Sequence, residues 1–390
     1  CKASRDVIYK LASHPDVAVI SYNREVQLLD NSKAREMDEA AGDRGSAAPH
    51  VIQVNADDVW NQGYTGKNVI VAVLDSGTNI NHYDLKDHLW VGYADTDDDG
   101  EEDDIIHGWN YISNNSDITD DFGHGTHCAG IVCGDGTVGI TVGVAPDATL
   151  MTLKIVNRAG GGSVDQMLSG VQFAVENGAD VISMSLGFKN NQITDAQKKE
   201  IRDAFVNVLE SGVVVCAAAG NDGTTIGVPN NVDYPATCPA PWLHPDQKAI
   251  NDGGVSSVIC VGNVNSYNNH VSSSSEGPVT WQGVEGYNDY PYNGTTTFGL
   301  IRPDICAPGE LVYSLKHDQV DKYKYMSGTS QATPGVAGVI ALMLEKNSSL
   351  TPAQICEIIE TTASNKPAVK NNQVGSGVVD ALSAVNEVEA

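Results

Sequence analysis

The chain is short of basic residues and has no apolar run long enough to cross a membrane. Its 390 residues include 23 lysines and arginines against 50 aspartates and glutamates, which gives a formal net charge of −27. Such a surface repels nucleic acid and anionic lipid and attracts cations. We therefore expect no nucleic-acid partner and no membrane span, and we expect a calcium requirement to be worth testing.

The cysteines are too widely spaced for a small disulfide-stabilised scaffold, and they form no paired C-x-x-C motif for zinc. Two of them lie in valine-rich runs and one in a small-residue helical stretch, so most are expected to be buried free thiols, with at most one or two disulfide bridges. The eight are Cys1, Cys128, Cys133, Cys216, Cys238, Cys260, Cys306 and Cys356. The number and spacing of the cysteines do not identify the cellular compartment of the protein.

Aromatic residues make up only 6% of the chain, while glycine is frequent, with 39 residues, a composition typical of α/β enzymes. Continuous apolar runs predict strands buried on both faces of a parallel sheet at 69–74, 149–156, 181–186, 213–219 and 258–261. Helical patterns lie at 126–133, 164–177, 194–211 and 335–344. Alternation of strands and helices predicts a parallel sheet with ligands at the carboxyl ends of its strands.

Residues 326–334, MSGTSQATP, place a serine hydroxyl at a junction between a loop and a helix. Gly328 permits a sharp turn, and Ser330 follows just before the small apolar residues of the helical pattern. Unpaired N–H groups of the first helical turn would stabilise negative charge beside the serine oxygen. A serine there is also a common helix cap, so this motif alone leaves both interpretations open.

Two further polar positions are ambiguous when each is taken alone. Asp75 follows the first buried strand, where Asp-Ser-Gly is also good turn chemistry. His124 lies in GHGTH at 123–127. It could cap the following helix, or it could bind zinc together with His127, although no third ligand follows at helical spacing.

Taken together, these residues match the requirements of acyl transfer. That reaction needs a nucleophile, a base that takes its proton, an acid that orients the base, and a donor for the oxyanion. Ser330, His124 and Asp75 provide the first three groups. Asn221, which follows another buried strand, provides an amide donor.

These motifs closely resemble those of the subtilisin-like serine proteases, the subtilase family. The similarity extends over about residues 51–380 and includes VLDSG at 73–77, GHGTH at 123–127, SLG at 185–187, AGN at 219–221, APG at 307–309 and SGTS at 327–330. The resemblance implies a subtilisin-like three-layer α/β fold with a mostly parallel seven-stranded sheet between helices. It also implies a serine endopeptidase that hydrolyses peptide bonds in extended protein segments through an acyl-enzyme.

The resemblance assigns roles to individual residues. Ser330 would be the nucleophile, His124 the general base and Asp75 the orienting acid, with Asn221 in the oxyanion hole. Substrate would bind to two strand edges and a pocket wall: Ser185, Leu186, Gly187, Gly161, Gly162, Ala218 and Gly220. Small residues in that wall leave room for a large side chain, and Asp222 would either favour a basic residue at the rim or be a solvated loop acid.

Several positions depart from the usual family pattern, among them SSSSEGP at 272–278, where Ser-Ser-Arg-Gly-Pro is usual. Gln331 replaces the methionine that most members carry after the nucleophile, which removes no catalytic group. Cys128, directly after GHGTH, resembles the buried cysteine of proteinase K-like members. If it lies under His124, mercurials should inhibit the enzyme.

Two acidic regions are candidate calcium sites. In the first, Asp95, Asp97, Asp99 and Gly100 occupy positions 1, 3, 5 and 6 of an EF-hand loop, with Asp103 nearby. Ile106 stands at position 12, so this is at most half of such a loop, and a solvated acidic loop is the alternative. In the second, the resemblance assigns a tight site to Asp84, Asp135, Thr137, Gly139 and Thr141, with Thr137 where an asparagine is usual.

The N-terminal region differs from the rest of the chain. Residues 1–29 resemble the C-terminal part of a subtilase propeptide, which implies an inhibitor of the enzyme, and 17–22 is strand-like. Residues 30–48 read as an exposed linker with a processing site, and 49–390 as the catalytic domain. We expect a monomer that acts on proteins or peptides and is secreted or extracellular, with a lipid anchor at Cys1 as the alternative.

Two other function classes compete with a peptidase. One is a subtilase-like protein that binds peptides or a partner protease without catalysis, which loss of a triad member would favour. The other is a zinc hydrolase that uses His124 and His127. Labelling by a fluorophosphonate, with Ser330→Ala as the control, separates the three.

Overall fold

The structure, a computed structural model, describes residues 5–12, 14, 17, 20, 23, 25–27, 46–97, 99–239, 256–284 and 286–389. Its helices are α1 (Arg5–Ala12), α2 (Pro49–Gln53), α3 (Ala56–Trp60), α4 (His124–Cys133), α5 (Val164–Glu176), α6 (Asp195–Glu210), α7 (Thr329–Lys346), α8 (Pro352–Thr361) and α9 (Ala381–Glu387). Its strands are β1 (Glu25–Gln27), β2 (Ile70–Asp75), β3 (Gly92–Ala94), β4 (Asp104–Ile106), β5 (Gly108–Asn110), β6 (Thr149–Lys154), β7 (Gly161–Ser163), β8 (Val181–Met184), β9 (Val214–Ala218), β10 (Ile259–Val264), β11 (Ile305–Pro308), β12 (Val312–Leu315) and β13 (Tyr323–Met326).

A seven-stranded sheet forms the centre of the fold, in the order β11-β10-β9-β8-β2-β6-β5. All six strand pairings are parallel. The five predicted apolar runs form its interior strands, and β5 and β11 are its edges. The predicted α/β fold is therefore confirmed, with a central sheet that is wholly parallel.

Helices cover both faces of the sheet, which explains why its strands are continuously apolar. Along β2, Val71 and Val73 belong to one core cluster, together with side chains of α4 and α7. Ala72 and Leu74 belong to the other, together with side chains of α5 and α6. Since successive strand residues point to opposite faces, both faces of β2 must be apolar.

The carboxyl edge of the sheet gathers the predicted functional residues. β2 ends at Asp75, β8 ends just before Ser185, and β9 ends three residues before Asn221. Two helices, α4 and α7, begin near the same edge, at His124 and Thr329. In parallel sheets this edge is where ligands bind.

Of the N-terminal region, the structure describes α1, β1 and a few single residues. β1 pairs antiparallel with β7, with Val26 opposite Gly162. The strand predicted at 17–22 lies largely outside the described residues, as do the linker at 30–48 and its processing site, of which only 46–48 are described.

The described cysteines, Cys128 through Cys356, are seven buried free thiols. Cys238, in a Pro-rich stretch, is one of them, so no disulfide occurs within the described ranges. Among the helices described above, none combines the length and hydropathy needed to cross a membrane.

Candidate functional site

His124 and Asp75 form a buried ion pair. The imidazole Nδ1 lies 2.9 Å from both carboxylate oxygens of Asp75, and the two side chains are 3% and 1% exposed. Burial, the largest single influence, lowers the pKa of His124, but the Asp75 carboxylate and Cys128 together outweigh it and hold that pKa well above its ordinary value. The pair therefore orients the ring with Nδ1 toward the carboxylate, and it stabilises the imidazolium once Nε2 takes up a proton.

Ser330 lies in the first turn of α7, one residue after Thr329 begins the helix. Its Oγ donates to the Ser185 carbonyl at 3.1 Å, and the Ser185 hydroxyl donates to the Ser330 carbonyl at 2.7 Å. Cys128 Sγ also donates to the Ser330 carbonyl, at 3.4 Å. Because Cys128 lies one turn after His124 on α4, the contact places the imidazole face of that helix against the serine.

Asn221 is oriented by the residue before the serine. Its Oδ1 accepts hydrogen bonds from Thr329 N–H at 3.0 Å and from the Thr329 hydroxyl at 3.2 Å. The amide –NH₂ is therefore on the other side, next to Gly328. Gly328 has a φ of 153°, and a Cβ there would lie 3.1 Å from Asn221 Nδ2. Glycine at 328 thus keeps the amide beside the start of α7.

Asp120 holds the start of α4 and was not predicted from the sequence. Its Oδ1 accepts from Gly123 N–H at 2.7 Å and from the Ser76 hydroxyl at 2.8 Å. Its Oδ2 accepts from Thr126 N–H at 2.8 Å and from the Thr126 hydroxyl at 2.6 Å. Burial raises the pKa of Asp120, but these bonds, led by that of Thr126, outweigh it and leave the pKa low. The available signal was an acid placed shortly before a helix start.

The residues predicted to bind substrate lie on two sides of the site. Gly161 and Gly162 form most of β7, whose edge accepts β1 as an antiparallel partner. Ser185, Leu186 and Gly187 follow β8, and Leu186 is buried. Ala218 ends β9 and is buried, and Gly220 follows it two residues later. These residues therefore lie in β7 and at or beyond the ends of β8 and β9, and their role in binding substrate stays a prediction.

Asp222 is a buried acid, so the interpretation of a solvated loop acid was wrong. The side chain of Asp222 is 5% exposed and that of Lys189 is 34% exposed. Lys189 Nζ lies 2.7 Å from Oδ2 and 2.9 Å from Oδ1 of Asp222. Lys189 is therefore the cationic partner of this acid.

The acidic loop predicted to bind calcium connects β3 and β4, which pair antiparallel. Carboxylate oxygens of Asp95, Asp97 and Asp99 lie within 4.8 Å of one another. Asp95 Oδ1 is buried and accepts no hydrogen bond. Asp103 lies outside this group. The cluster of three carboxylates matches the oxygen ligands that calcium prefers.

The second candidate calcium loop is held by protein donors. Asp84 Oδ1 accepts from Val138 N–H at 3.0 Å, and Oδ2 accepts from the Tyr323 hydroxyl at 2.7 Å. Asp135 accepts from Thr137 N–H at 2.8 Å and contacts His88 Nε2 at 3.1 Å.

Of the carbonyl ligands expected at this loop, Gly139 and Thr141 lie on it, and the Thr141 hydroxyl donates to the Asp135 carbonyl at 3.1 Å. Hydrogen-bond donors face the carboxylates where a cation would approach. The arrangement as it stands does not fit a calcium ion.

The histidine pair proposed for zinc is not assembled. His127 Nε2 lies 3.2 Å from the Lys324 carbonyl, and burial lowers the pKa of His127 well below its ordinary value. In the part of the chain that the structure describes, the one group of three metal-ligating side chains that contains His124 is completed by Asp75 and Cys128. His127 does not belong to it, so a zinc hydrolase using both histidines has no support.

Comparisons with known proteins agree with this geometry. The profile of the subtilase family matches residues 66–377. The chain is 34% identical to subtilisin DY of Bacillus licheniformis over 313 residues, which is 80% of this chain and 89% of the relative. It is 31% identical to the serine protease AprX of Bacillus subtilis, over 88% of this chain and 71% of the relative. It is 33% identical to the major intracellular serine protease of the same species, over 74% and 72%.

Proposed function

The chain belongs to the subtilase family and is a serine endopeptidase, and we propose that Ser330, His124, Asp75 and Asn221 carry out its reaction. The observation that carries this proposal is the buried His124–Asp75 pair. His124 lies on α4, and the next turn of that helix contacts Ser330 through Cys128. A base oriented by a carboxylate beside a serine at a helix start is the arrangement that acyl transfer requires.

In the proposed reaction, the Ser330 hydroxyl exchanges the Ser185 carbonyl for His124 Nε2 as its acceptor. Ser330 Oγ then bonds to the substrate carbonyl carbon while its proton passes to Nε2, and Asp75 stabilises the imidazolium. The amide of Asn221 and the Ser330 N–H donate to the oxyanion. His124 returns the proton to the departing amine, and the C–N bond breaks. Water then hydrolyses the acyl-enzyme by the same steps.

A fluorophosphonate probe tests the nucleophile. We expect covalent labelling of the wild type at Ser330 and no labelling of Ser330→Ala, because the probe reacts only with an activated serine. Ser327→Ala is the matched control, since Ser327 Oγ accepts from Leu311 N–H and lies outside the proposed reaction centre. Labelling that survives Ser330→Ala would defeat the assignment. An unlabelled wild type would favour a non-catalytic protein, and inhibition by a zinc chelator alone would favour the metal mechanism.

For substrate binding, we propose that an extended segment lies antiparallel along β7 and faces residues 185–187. β1 supports this, because it occupies the same edge with Glu25 opposite Ser163 and Gln27 opposite Gly161. Strand addition provides affinity from backbone hydrogen bonds, and pockets then select side chains. The substrates are accordingly proteins and peptides that can adopt an extended conformation.

The same pairing supports a propeptide role for residues 1–29. A segment of the chain that lies on the proposed substrate edge would compete with substrate. Release would then require cleavage within residues 30–48, whose exposed composition suits processing. The catalytic domain would comprise residues 49–390.

We propose that calcium binds in the β3–β4 loop through Asp95, Asp97 and Asp99, where it would neutralise the clustered carboxylates. The support is the convergence of their oxygens and the buried Asp95 Oδ1 without a hydrogen-bond donor. We do not extend the proposal to the loop at Asp84, because protein donors bind both oxygens of that carboxylate, whereas Asp95 Oδ1 has no donor.

A monomer outside the cell, free or anchored through Cys1, remains a prediction. The relatives do not fix the location, since one of them is named an intracellular serine protease.

A further inference from the structure

Asp233 is a buried acid that the proposed mechanism does not use. It is 1% exposed, and its Oδ2 accepts no hydrogen bond. Buried polar atoms normally have partners, and an ionised carboxylate without one is strongly destabilised. Burial raises the pKa of Asp233 well above its ordinary range, with a further contribution from Asp222 that Lys189 opposes. A hydrogen-bond donor or a cation at Oδ2 would therefore stabilise the ionised form of Asp233.

The side chain of Asp233 lies between two segments that flank the reaction centre. We call these segments, residues 185–187 and residues 218–220, the two walls. Its N–H donates to the Ala219 carbonyl at 3.0 Å, which fixes the backbone against one wall. A Cβ built on Gly220 would come within 2.5 Å of Asp233 Oδ2, and one built on Gly187 within 2.6 Å of Asp233 Cβ. Each wall therefore has a glycine at the point where it approaches Asp233.

This position is next to the place where a substrate side chain would enter. Gly220 directly precedes Asn221, whose amide would hold the oxygen of the attacked carbonyl. Ser185, two residues before Gly187, contacts Ser330. The side chain of the residue before the scissile bond branches one bond from that carbonyl. It would therefore extend between the walls toward Asp233.

The charges around Asp233 are unbalanced. Asp222 and Asp233 are two buried carboxylates, and Lys189 is bound to the first of them. The described contacts give Asp233 no such cationic partner. A cation brought by the substrate would balance the second carboxylate and form a charge-assisted hydrogen bond with it.

We propose that Asp233 makes the enzyme select lysine or arginine as the residue before the scissile bond. The aliphatic part of such a side chain would lie along the glycine and alanine walls, and its charged end would pair with the carboxylate. This inference rests on the proposed function, because it takes Ser330 and Asn221 as the reaction centre.

The test compares peptide p-nitroanilides that differ only in the residue before the scissile bond: arginine, lysine, leucine and citrulline, the neutral analogue of arginine. We expect the wild-type kcat/KM for arginine to exceed that for citrulline on the order of 30-fold or more, the effect of pairing a buried charge. In Asp233→Asn this ratio should fall to within a few-fold of one. Asp222→Asn is the matched control and should retain most of the ratio.

Fluorophosphonate titration of Ser330 gives the concentration of active enzyme in each preparation. If Asp233→Asn does not fold, the wild-type ratio of arginine to citrulline and its retention in Asp222→Asn decide the question together. A labelled, active wild type with a ratio near one, or a ratio unchanged by Asp233→Asn, overturns this inference and leaves the proposed function standing. Loss of the ratio in Asp222→Asn but not in Asp233→Asn also overturns it. An enzyme that neither labels nor cleaves overturns both.

Discussion

Cys128 is a buried thiol directly beneath the proposed general base. Its Sγ lies 3.8 Å from His124 Nδ1 and donates to the Ser330 carbonyl. Burial raises the pKa of Cys128, with His124 opposing the effect, so the group is a neutral thiol at neutral pH. It is too enclosed to be a nucleophile for substrate, but any heavy atom added to the sulfur would displace the imidazole or the serine.

We predict that mercuric ion inhibits the wild type through Cys128. Displacing the base should lower activity by roughly 10²-fold or more, the usual contribution of a positioned general base. Cys128→Ser should resist the reagent, whereas Cys356→Ser, which removes a buried thiol on α8, should remain sensitive. Residual activity would be measured after incubation with mercuric chloride. Equal inhibition of Cys128→Ser and the wild type would exclude this route.

At the scale of single residues, the sequence points to candidate catalytic residues where they lie in dense motifs. Asp75, His124, Asn221 and Ser330 each follow a strand or begin a helix, and mechanism requires all four types together. Asp233 could not be predicted in the same way. Its proposed role depends on two glycines from other segments and on the absence of a hydrogen-bond donor to Oδ2. Both features arise only in the folded chain.

Among the elements, prediction succeeded where the apolar pattern was long. The five interior strands of the sheet are continuous apolar runs, because both of their faces are covered. The edges β5 and β11, only three and four residues long, carry too little pattern to be recognised. Helix α7 begins at Thr329, before its apolar run, because Gly328 ends the preceding extended backbone and Ser330 occupies the first turn.

The β1–β7 pairing predicts how the N-terminal segment acts. A synthetic peptide of residues 1–29 should inhibit the processed enzyme competitively. Val26→Pro should weaken that inhibition by about tenfold or more, because proline cannot donate a ladder hydrogen bond. Ile8→Ala, on the exposed side of α1, is the control and should leave inhibition nearly unchanged. Inhibition constants against a chromogenic peptide provide the measurement.

Cleavage of the chain provides a second test of the inhibitory role of residues 1–29. After incubation, N-terminal sequencing should find a new terminus within residues 30–48. Fully active enzyme with Cys1 still at its terminus would contradict an inhibitory role for the segment.

The whole molecule carries 50 acidic against 23 basic residues. A bound cation should therefore stabilise the fold by reducing repulsion between carboxylates. If calcium binds at Asp95, Asp97 and Asp99, saturation near 100 times Kd should contribute about 2.7 kcal/mol. That should raise Tm by roughly 3–4 °C relative to EGTA, given the unfolding entropy of a chain of this length. Asp97→Asn/Asp99→Asn should abolish the difference, which differential scanning calorimetry would measure.

Two controls separate specific binding from screening. Magnesium at equal ionic strength screens charge to the same extent, but it should stabilise far less, because it requires a near-ideal octahedral set of ligands and loses its water reluctantly. Glu101→Gln/Asp103→Asn, which removes two exposed acids of the same loop, should retain the calcium effect. A Tm unchanged by EGTA would remove the proposed site.

The architecture explains why residues from distant sequence motifs come together in the candidate site. The strands of a parallel sheet end at one edge, so Asp75, Ser185 and Asn221 must approach one another once the sheet forms. The two calcium candidates were harder to separate, because similar runs of acids can face water, a cation or protein donors. The Tyr323 hydroxyl that donates to Asp84 comes from the distant β12–β13 hairpin. No sequence pattern near Asp84 predicts this contact.

The central claim is that Ser330 and His124 act as one unit, and a double-mutant comparison tests it most directly. The measurement is kcat/KM for peptide hydrolysis by Ser330→Ala, His124→Ala and the double variant. We predict that each single substitution lowers kcat/KM by roughly 10³-fold or more and that the double variant is no slower than Ser330→Ala, since a base without its nucleophile has no proton to take. Losses that multiply in the double variant, or activity that persists in Ser330→Ala, would contradict the account.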